Sequence, residues 1–346
     1  MARDRERPTQ PSLFSGDERE MLRRGRRVGP APVSDDLRGR GEQLPPAVRL
    51  GTSSWSFPGW EGLVYDREAT SAHLARYGLA AYAQHPLLGA AGIDRTYYAP
   101  VAADTLTGYA DAVPDGFRFL VKAANLCTDP YTREAHGRAV ERNPLFLDPR
   151  FACDEVVRPY VDGLRQKGGA LVFQFPPLGV ELTAEPQRFA AGLERFLSGL
   201  PAGPVYAVEL RDRKLLGAAY VEALRATNCF HCYTAHPRMP KLAEQRRVVG
   251  PQRSLVARWM LHASLGYEAA RERYSPFSKI VDEDLETRSA LAELAVEQVR
   301  GAGPVLITAN NKAEGSAPET LFRLAGAILE LFRTKTDGSV TTDASP

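Results

Sequence analysis

Charged and amide side chains stand at the ends of several short apolar runs in this sequence. They are Lys122, Gln174, Glu209, Arg211, Arg258, Asn310 and Asn311. Arginine binds carboxylate and phosphate groups through paired N–H donors. A carboxylate flanked by cations stays ionised and can accept a proton, whereas a desolvated lysine can lose its proton and become a base or a nucleophile. If these groups meet, they predict a cationic pocket for a small anionic or sugar-like ligand.

The residue types predict individual roles in such a pocket. Glu209 is the predicted base and Lys122 the predicted proton donor or nucleophile. A purely structural ion pair between Glu209 and Arg211 is the alternative, since such pairs also perturb pKa values. The remaining groups would bind the ligand, as anion clamps or as neutral hydrogen-bonding partners: Arg211, Arg258, Gln174, Asn310 and Asn311.

Eight short apolar runs alternate with helical patterns between residues 47 and 333. The runs span 48–55, 92–98, 117–123, 170–177, 205–211, 229–236, 255–261 and 305–311, and helical patterns lie near 68–84, 101–113, 152–167, 184–199, 215–227, 240–247, 283–301 and 317–333. This alternation predicts an α/β fold, a (β/α)8 barrel of the TIM type, with one domain over 47–333. An open doubly wound sheet is the alternative, but neither glycine-rich phosphate-binding motif typical of it is present.

Side-chain alternation along the strands predicts which polar groups enter the barrel. In 117–123, Phe117, Phe119 and Val121 suit the helix layer, which leaves Lys122 facing inward. The same parity sends further polar groups inward near the carboxyl ends of their strands, where barrel enzymes carry their active sites. They are Gln174, Glu209, Arg211, Arg258 and Asn310.

Charge and composition exclude several classes of protein. Lys+Arg number 44 and Asp+Glu 42, so the net charge of +2 does not indicate a polyanionic partner. No apolar run approaches the roughly 20 residues of a membrane span, and the first residues lack the apolar core of a secretory signal. Four scattered cysteines do not form a disulfide framework, so we expect a cytoplasmic protein. Residues 1–46 and 334–346 are predicted to be disordered polar tails.

Five motifs resemble the DUF72 family, the YecE-like proteins. They are GTSSWSFPGWEGLVY at 51–65, PDGFRFLVKA at 114–123, FQFPP at 173–177, AVELR at 207–211 and NNKAEGSAPET at 310–320. The resemblance runs in order from about residue 48 to 332 and implies a TIM-type barrel. No activity is established for the family, which has been likened to sugar isomerases and to endonuclease-IV-type barrels. The positions that match are Trp55, Trp60, Lys122, Gln174, Glu209, Arg211, Arg258, Asn310 and Asn311.

Two segments depart from the family pattern. Asp94 and Arg95 stand where the family usually has Glu and Asn, and His262 lies in an altered continuation after Arg258. Trp55 and Trp60 follow the first strand, where aromatic rings either stack on a ligand or cover the barrel core. The long loop 266–281 is either a lid over the mouth or an ordinary surface excursion.

A metal site is not expected. Cys229, His231, Cys232 and His236 resemble a zinc cluster, but Cys229 and Cys232 point to opposite faces of an extended strand. We therefore expect neither a metal nor another cofactor.

Residues 10–14, Gln-Pro-Ser-Leu-Phe, resemble the short peptide by which bacterial proteins bind the DNA sliding clamp, with Gln10, Leu13 and Phe14 as its contact residues.

The sequence leaves three hypotheses about function. The first is a metal-independent enzyme, an isomerase, lyase or hydrolase, acting on a small anionic or carbohydrate-like substrate. The second is a nucleic-acid-associated protein recruited through the clamp motif, and the third is a non-catalytic ligand-binding scaffold.

Overall fold

A computed structural model of the chain describes residues 27–134 and 138–337. Eight parallel strands close into a barrel in which each strand pairs with its neighbours in chain order, apart from an inserted hairpin. The barrel strands are β1 (Val48–Thr52), β2 (Ala90–Ile93), β3 (Arg118–Lys122), β6 (Gly168–Gln174), β7 (Tyr206–Glu209), β8 (Phe230–Ala235), β9 (Leu255–Trp259) and β10 (Val305–Ala309). The hairpin consists of β4 (Tyr131–Arg133) and β5 (Ala139–Arg142) and lies between β3 and β6. The predicted (β/α)8 barrel is confirmed.

Helices surround the barrel. They are α1 (Asp35–Gln43), α2 (Ser71–Tyr77), α3 (Leu79–Tyr82), α4 (Ala103–Asp111), α5 (Pro149–Phe151), α6 (Arg158–Leu164), α7 (Val180–Thr183), α8 (Pro186–Ser198), α9 (Ala218–Ala226), α10 (Leu242–Val249), α11 (Tyr267–Tyr274), α12 (Leu285–Arg300) and α13 (Ala317–Asp337). A π-helical segment, Ala152–Val157, joins α5 to α6. None of the helices in the described ranges combines the length and apolar character needed to cross a bilayer.

The barrel interior holds its own small core beneath the carboxyl-terminal mouth. It consists of Ala90, Leu120, Ala170, Val172, Ala207, Cys232, Val256 and Leu306. The neighbouring strand positions, such as Phe119, Phe173 and Val208, pack in the larger core between strands and helices. This division follows the predicted alternation of side chains. The positions two residues beyond the inner core, including Lys122, Gln174 and Glu209, therefore face the mouth.

Three segments differ from the sequence expectations. Residues 27–46 were expected within a disordered tail, whereas Asp35–Gln43 forms helix α1, and Arg40 Nη1 donates to the carbonyl of Phe322 on α13 at 3.3 Å. Helix α13 extends to Asp337, beyond the expected start of the second tail at 334. Part of the predicted loop 266–281 is helix α11. Residues 10–14, which carry the clamp-like motif, lie outside the described residues.

Candidate active site

Glu209 lies at the carboxyl end of β7, inside the barrel, and is fully buried. Arg258 Nη1 donates to its Oε2 at 2.7 Å, Arg211 forms an ion pair with its Oε1, and the Thr234 hydroxyl donates to Oε1 at 3.1 Å. Burial would raise the pKa of the Glu209 carboxyl, but the charges of Arg211 and Arg258 outweigh it and lower this pKa to about 2. Glu209 is therefore an ionised carboxylate whose two oxygens are already engaged.

Arg258 lies between two carboxylates. Besides Glu209, it binds Asp94, because its Nη2 donates to Oδ1 and Oδ2 of that residue at 2.9 and 3.1 Å. Only 1% of Arg258 is exposed, and its Nε has no hydrogen-bond partner among the described residues. Burial would lower the pKa of the guanidinium, but the two carboxylates raise it overall. Arg258 therefore ties β9 to β7 and to the loop after β2.

Lys122 lies beside this network with a different environment. Its side chain is 9% exposed, and its Nζ lies 3.6 Å from the centre of the Tyr97 ring, at a distance typical of a cation–π contact. No carboxylate of the described residues lies within ion-pair distance of its amine. Burial, and to a lesser extent the positive charges of Arg258 and Arg211, lower the pKa of Lys122 to about 8, although Asp94 and Glu209 oppose the shift.

Two further groups at the mouth have unused hydrogen-bonding capacity. Gln174 pairs with Glu209 in the strand register, is 8% exposed, and its amide has no hydrogen-bond partner among the described residues. His236 follows β8, and its Nδ1 accepts from the backbone amide of Arg238 at 3.1 Å, whereas its Nε2 has no hydrogen-bond partner within the described ranges. Burial and the charge of Arg211 lower the pKa of His236 to about 3. The imidazole is therefore neutral at physiological pH.

The cluster carries a net positive charge. Its cations are Lys122, Arg211 and Arg258, and its carboxylates are Glu209 and Asp94, so three positive and two negative charges leave one positive charge in excess when Lys122 is protonated. Each arginine contacts Glu209, which leaves Lys122 as the cation of the cluster without an ion-pair partner in the part of the chain that the structure describes. An anionic ligand would complete the charge balance.

The two tryptophans occupy the core rather than the surface of the mouth. Trp60 is fully buried, and its Nε1 donates to Asn311 Oδ1 at 3.2 Å. Trp55 is 5% exposed and packs edge-on against Tyr109, with 5.1 Å between ring centres. Neither ring offers a face to a ligand. Of the two readings that the sequence left open, the structure supports a covering of the barrel core.

The two asparagines that follow β10 have different environments. Asn311 is buried, and besides Trp60 it accepts from the amide of Ala317 at 2.8 Å, at the first residue of α13. Through its Oδ1, Asn311 links the loop after β1 to the last helix, whereas its Nδ2 has no hydrogen-bond partner among the described residues. Its ligand-binding role stays a prediction. Asn310 is partly exposed and accepts from the amide of Lys312 at 3.0 Å, which leaves its own side-chain NH2 available at the mouth.

The remaining residues considered in the sequence analysis bind groups outside the cluster around Glu209. Arg95 is exposed and donates to the Tyr109 hydroxyl at 3.0 Å, and His262 bonds Ser264 at 2.8 Å. His231 is buried between Tyr220 and Gln245. Within the described ranges, no group of three or more His, Cys, Asp or Glu side chains has the geometry of a metal site.

Sequence reasoning did not single out Tyr97 and Thr234, and it considered Asp94 as a further member of the cluster and His236 only within the zinc-like group. Thr234 and Arg258 are paired in the strand register, so the alternation that selected Arg258 also points to Thr234. Asp94 and Tyr97 lie in the turn after β2, where strand alternation no longer predicts direction.

The family model for a protein of unknown function, DUF72, matches residues 49–340. The chain belongs to the DUF72 family. A solved DUF72 family protein from Enterococcus faecalis is 17% identical, with a TM-score of 0.54 over 81% of this chain and 95% of the other. A second DUF72 family protein, from Thermotoga maritima, is 19% identical, with a TM-score of 0.54 over 83% and 99% of the two chains. At these identities the similarity shows the fold, and no curated protein matches the chain.

Proposed function

We propose that this DUF72 protein is an enzyme that binds a small anionic or carbohydrate-like substrate at the carboxyl-terminal mouth of its barrel. The observation that carries the proposal is the ammonium group of Lys122, which is largely buried and faces no carboxylate partner among the described residues. Burying a charge without a partner is costly. A substrate anion would supply that partner.

Groups around Lys122 support binding of the same anion. Arg211 is 8% exposed and engages Glu209 through one of its nitrogens, so other N–H donors of its guanidinium remain for a ligand. The amide of Gln174 supplies a neutral donor on the neighbouring strand. Arg258 is unsuited to this role because two carboxylates already bind it, and it instead holds Glu209 and Asp94 in place.

Lys122 is the reacting group in this proposal. An amine with a pKa near 8 can both donate and accept a proton close to neutral pH. Glu209 was the base predicted from sequence, but its low pKa and its three hydrogen-bonding or ionic partners make it a weak proton acceptor. We therefore assign proton transfer to Lys122 and the positioning of the arginines to Glu209.

Thermal-shift measurements with inorganic phosphate, small organic acids and sugar phosphates test the proposal. A ligand that binds only the native state raises the melting temperature with concentration. We expect such a rise for the wild-type protein at pH 7, a smaller rise above pH 8 as Lys122 loses its charge, and none for Lys122→Met. Lys214→Met, at an exposed lysine that has no hydrogen bond or ion pair to the cluster in the part of the chain that the structure describes, is the matched control and should respond like the wild type.

Two results would count against the proposal. Anions that stabilise Lys122→Met as strongly as the wild type would bind elsewhere. An oligonucleotide that binds at low salt and is released steeply as salt rises would favour the nucleic-acid hypothesis, because phosphate contacts release counterions.

A further inference from the structure

Two tyrosines at the mouth expose most of their rings. Tyr98, after the turn Arg95–Tyr97, is 79% exposed, and Tyr267, the first residue of α11, is 59% exposed. The two belong to loops that follow different strands, β2 and β9. The ion pair between Asp94 and Arg258, 2.9 Å long, ties the turn after β2 to the end of β9. Partial burial, and beyond it the phenol of Tyr267, raise the pKa of Tyr98, in agreement with this arrangement. The rim of the mouth therefore carries a pair of accessible aromatic rings.

These rings connect to the buried cluster through direct contacts. Tyr97, whose ring faces the amine of Lys122, packs edge-on against Tyr98 with 5.5 Å between ring centres. On the other side, Lys312 Nζ lies 4.3 Å from the centre of the Tyr267 ring. Lys312 is 8% exposed, and no carboxylate of the described residues lies within ion-pair distance of its amine. Two ammonium groups without an ion-pair partner among the described residues thus each lie against a tyrosine ring at the mouth, Lys122 against Tyr97 and Lys312 against Tyr267.

We propose that Tyr98, Tyr267 and Lys312 form an outer subsite that binds the ring of a phosphorylated, ring-bearing small molecule whose anionic group lies at Lys122. This inference rests on the proposed function of the mouth. Tyrosine rings stack on sugar and base rings and keep their hydroxyls in water, so they favour ring-bearing ligands over small inorganic anions. The ammonium of Lys312 favours an electron-rich or anionic substituent at the outer end.

In this subsite Tyr98 and Tyr267 would stack on the ligand, which is one of the two roles that the sequence suggested for Trp55 and Trp60. Those rings are buried and make contacts within the core, whereas Tyr98 and Tyr267 are accessible. A phosphorylated sugar and a nucleoside monophosphate share the required chemistry, a ring joined to a phosphate. Separate measurements with each distinguish the two sources.

Calorimetric titration of the full chain with inorganic phosphate, glucose 6-phosphate and uridine monophosphate tests the inference. We expect at least one ring-bearing phosphate to bind more tightly than inorganic phosphate, by about 2- to 10-fold for each ring contact. Tyr98→Ala and Tyr267→Ala should each remove most of this advantage and leave the affinity for inorganic phosphate unchanged. Tyr77→Ala is the matched control, because Tyr77 is an exposed tyrosine at the end of α2 and should have no effect.

The outcomes separate this inference from the proposed function. If inorganic phosphate binds in a Lys122-dependent manner but neither ring-bearing phosphate binds more tightly, the outer subsite is wrong and the anion site stands. An advantage that persists in Tyr98→Ala and Tyr267→Ala also overturns it. If no phosphate binds at all, the outer subsite is wrong, and the response of the melting temperature to small organic acids decides whether the proposed function also fails.

Discussion

The amine of Lys122 lies 3.6 Å from the centre of the Tyr97 ring, and this contact takes the place of an ion pair at the barrel mouth. A ring face attracts a cation but does not neutralise it. The lysine can therefore be buried and still keep its charge available for a ligand. Glu209 and Asp94 serve the neighbouring Arg258 instead.

The first prediction concerns the titration of Lys122. Its pKa of about 8 lies well below the ~10.4 of surface lysines, so its amine should lose its proton at a lower pH than theirs. Reductive ¹³C-methylation followed by NMR at increasing pH measures each lysine, and Lys122→Met identifies the resonance. A midpoint above pH 10 for Lys122 would contradict the environment described.

The pH dependence of the free energy of unfolding should also show the titration of Lys122. Between pH 8 and 10.5 the unfolded chain holds more protons on Lys122 than the folded chain, so the contribution of this group to the free energy of unfolding rises with pH across that window. Urea denaturation at several pH values should show this rise in the wild type and a flatter dependence in Lys122→Met. Lys214→Met should retain the wild-type slope.

Glu209→Gln should destabilise the fold strongly. The substitution leaves two buried guanidinium groups without their shared carboxylate, and breaking a buried ion pair costs about 3–5 kcal/mol. Because the pKa of Glu209 is lowered, its stabilising contribution is present above pH 4.5 and is lost as pH falls toward 2. Chemical denaturation should show a large loss at pH 7 that narrows at acidic pH. A variant as stable as the wild type would restore Glu209 as a candidate base.

Most of the barrel could be predicted because its strands alternate between two apolar environments. The strand residues Phe119, Val121 and Phe173 pack toward helices while Lys122 and Gln174 face inward, as the sequence pattern indicates. The ion pairs that join different strands and loops at the mouth could not be predicted from this pattern. Nothing in the spacing of Asp94 and Arg258 shows that they bind, since 164 positions separate them.

Two elements were not predicted because they bury little apolar surface. Helix α1 has no fully buried residue: its Leu37 is only partly buried against the core, and polar contacts such as the one between Arg333 and Gln43 also attach the helix. Strand β5 is exposed along its whole length, so it shows no alternation. Trp55 and Trp60 illustrate a related limit, because residue type does not tell whether a loop aromatic ring faces solvent or core.

The clamp-like motif stays a prediction, since residues 10–14 lie outside the described residues. We expect the full chain to bind an immobilised bacterial sliding clamp through Leu13 and Phe14. A pull-down should retain the wild-type chain and lose the Leu13→Ala/Phe14→Ala double variant, with Lys122→Met as a control that still binds. Equal retention of the double variant would remove the motif.

Asn311→Ala should weaken the fold and spare ligand binding at the mouth. The Oδ1 atom of Asn311 accepts from the Trp60 indole and from the amide of Ala317, so its removal leaves two buried donors unpaired, at about 1–3 kcal/mol each. Asn311→Asp keeps an acceptor for both donors, and a negative charge at the first turn of α13 is favoured by the helix dipole. Denaturant midpoints should therefore fall further for Asn311→Ala than for Asn311→Asp, and both variants should keep the wild-type response to phosphate below their melting temperatures. A loss of phosphate binding in Asn311→Asp, with its stability largely intact, would return this residue to the ligand site predicted from the sequence.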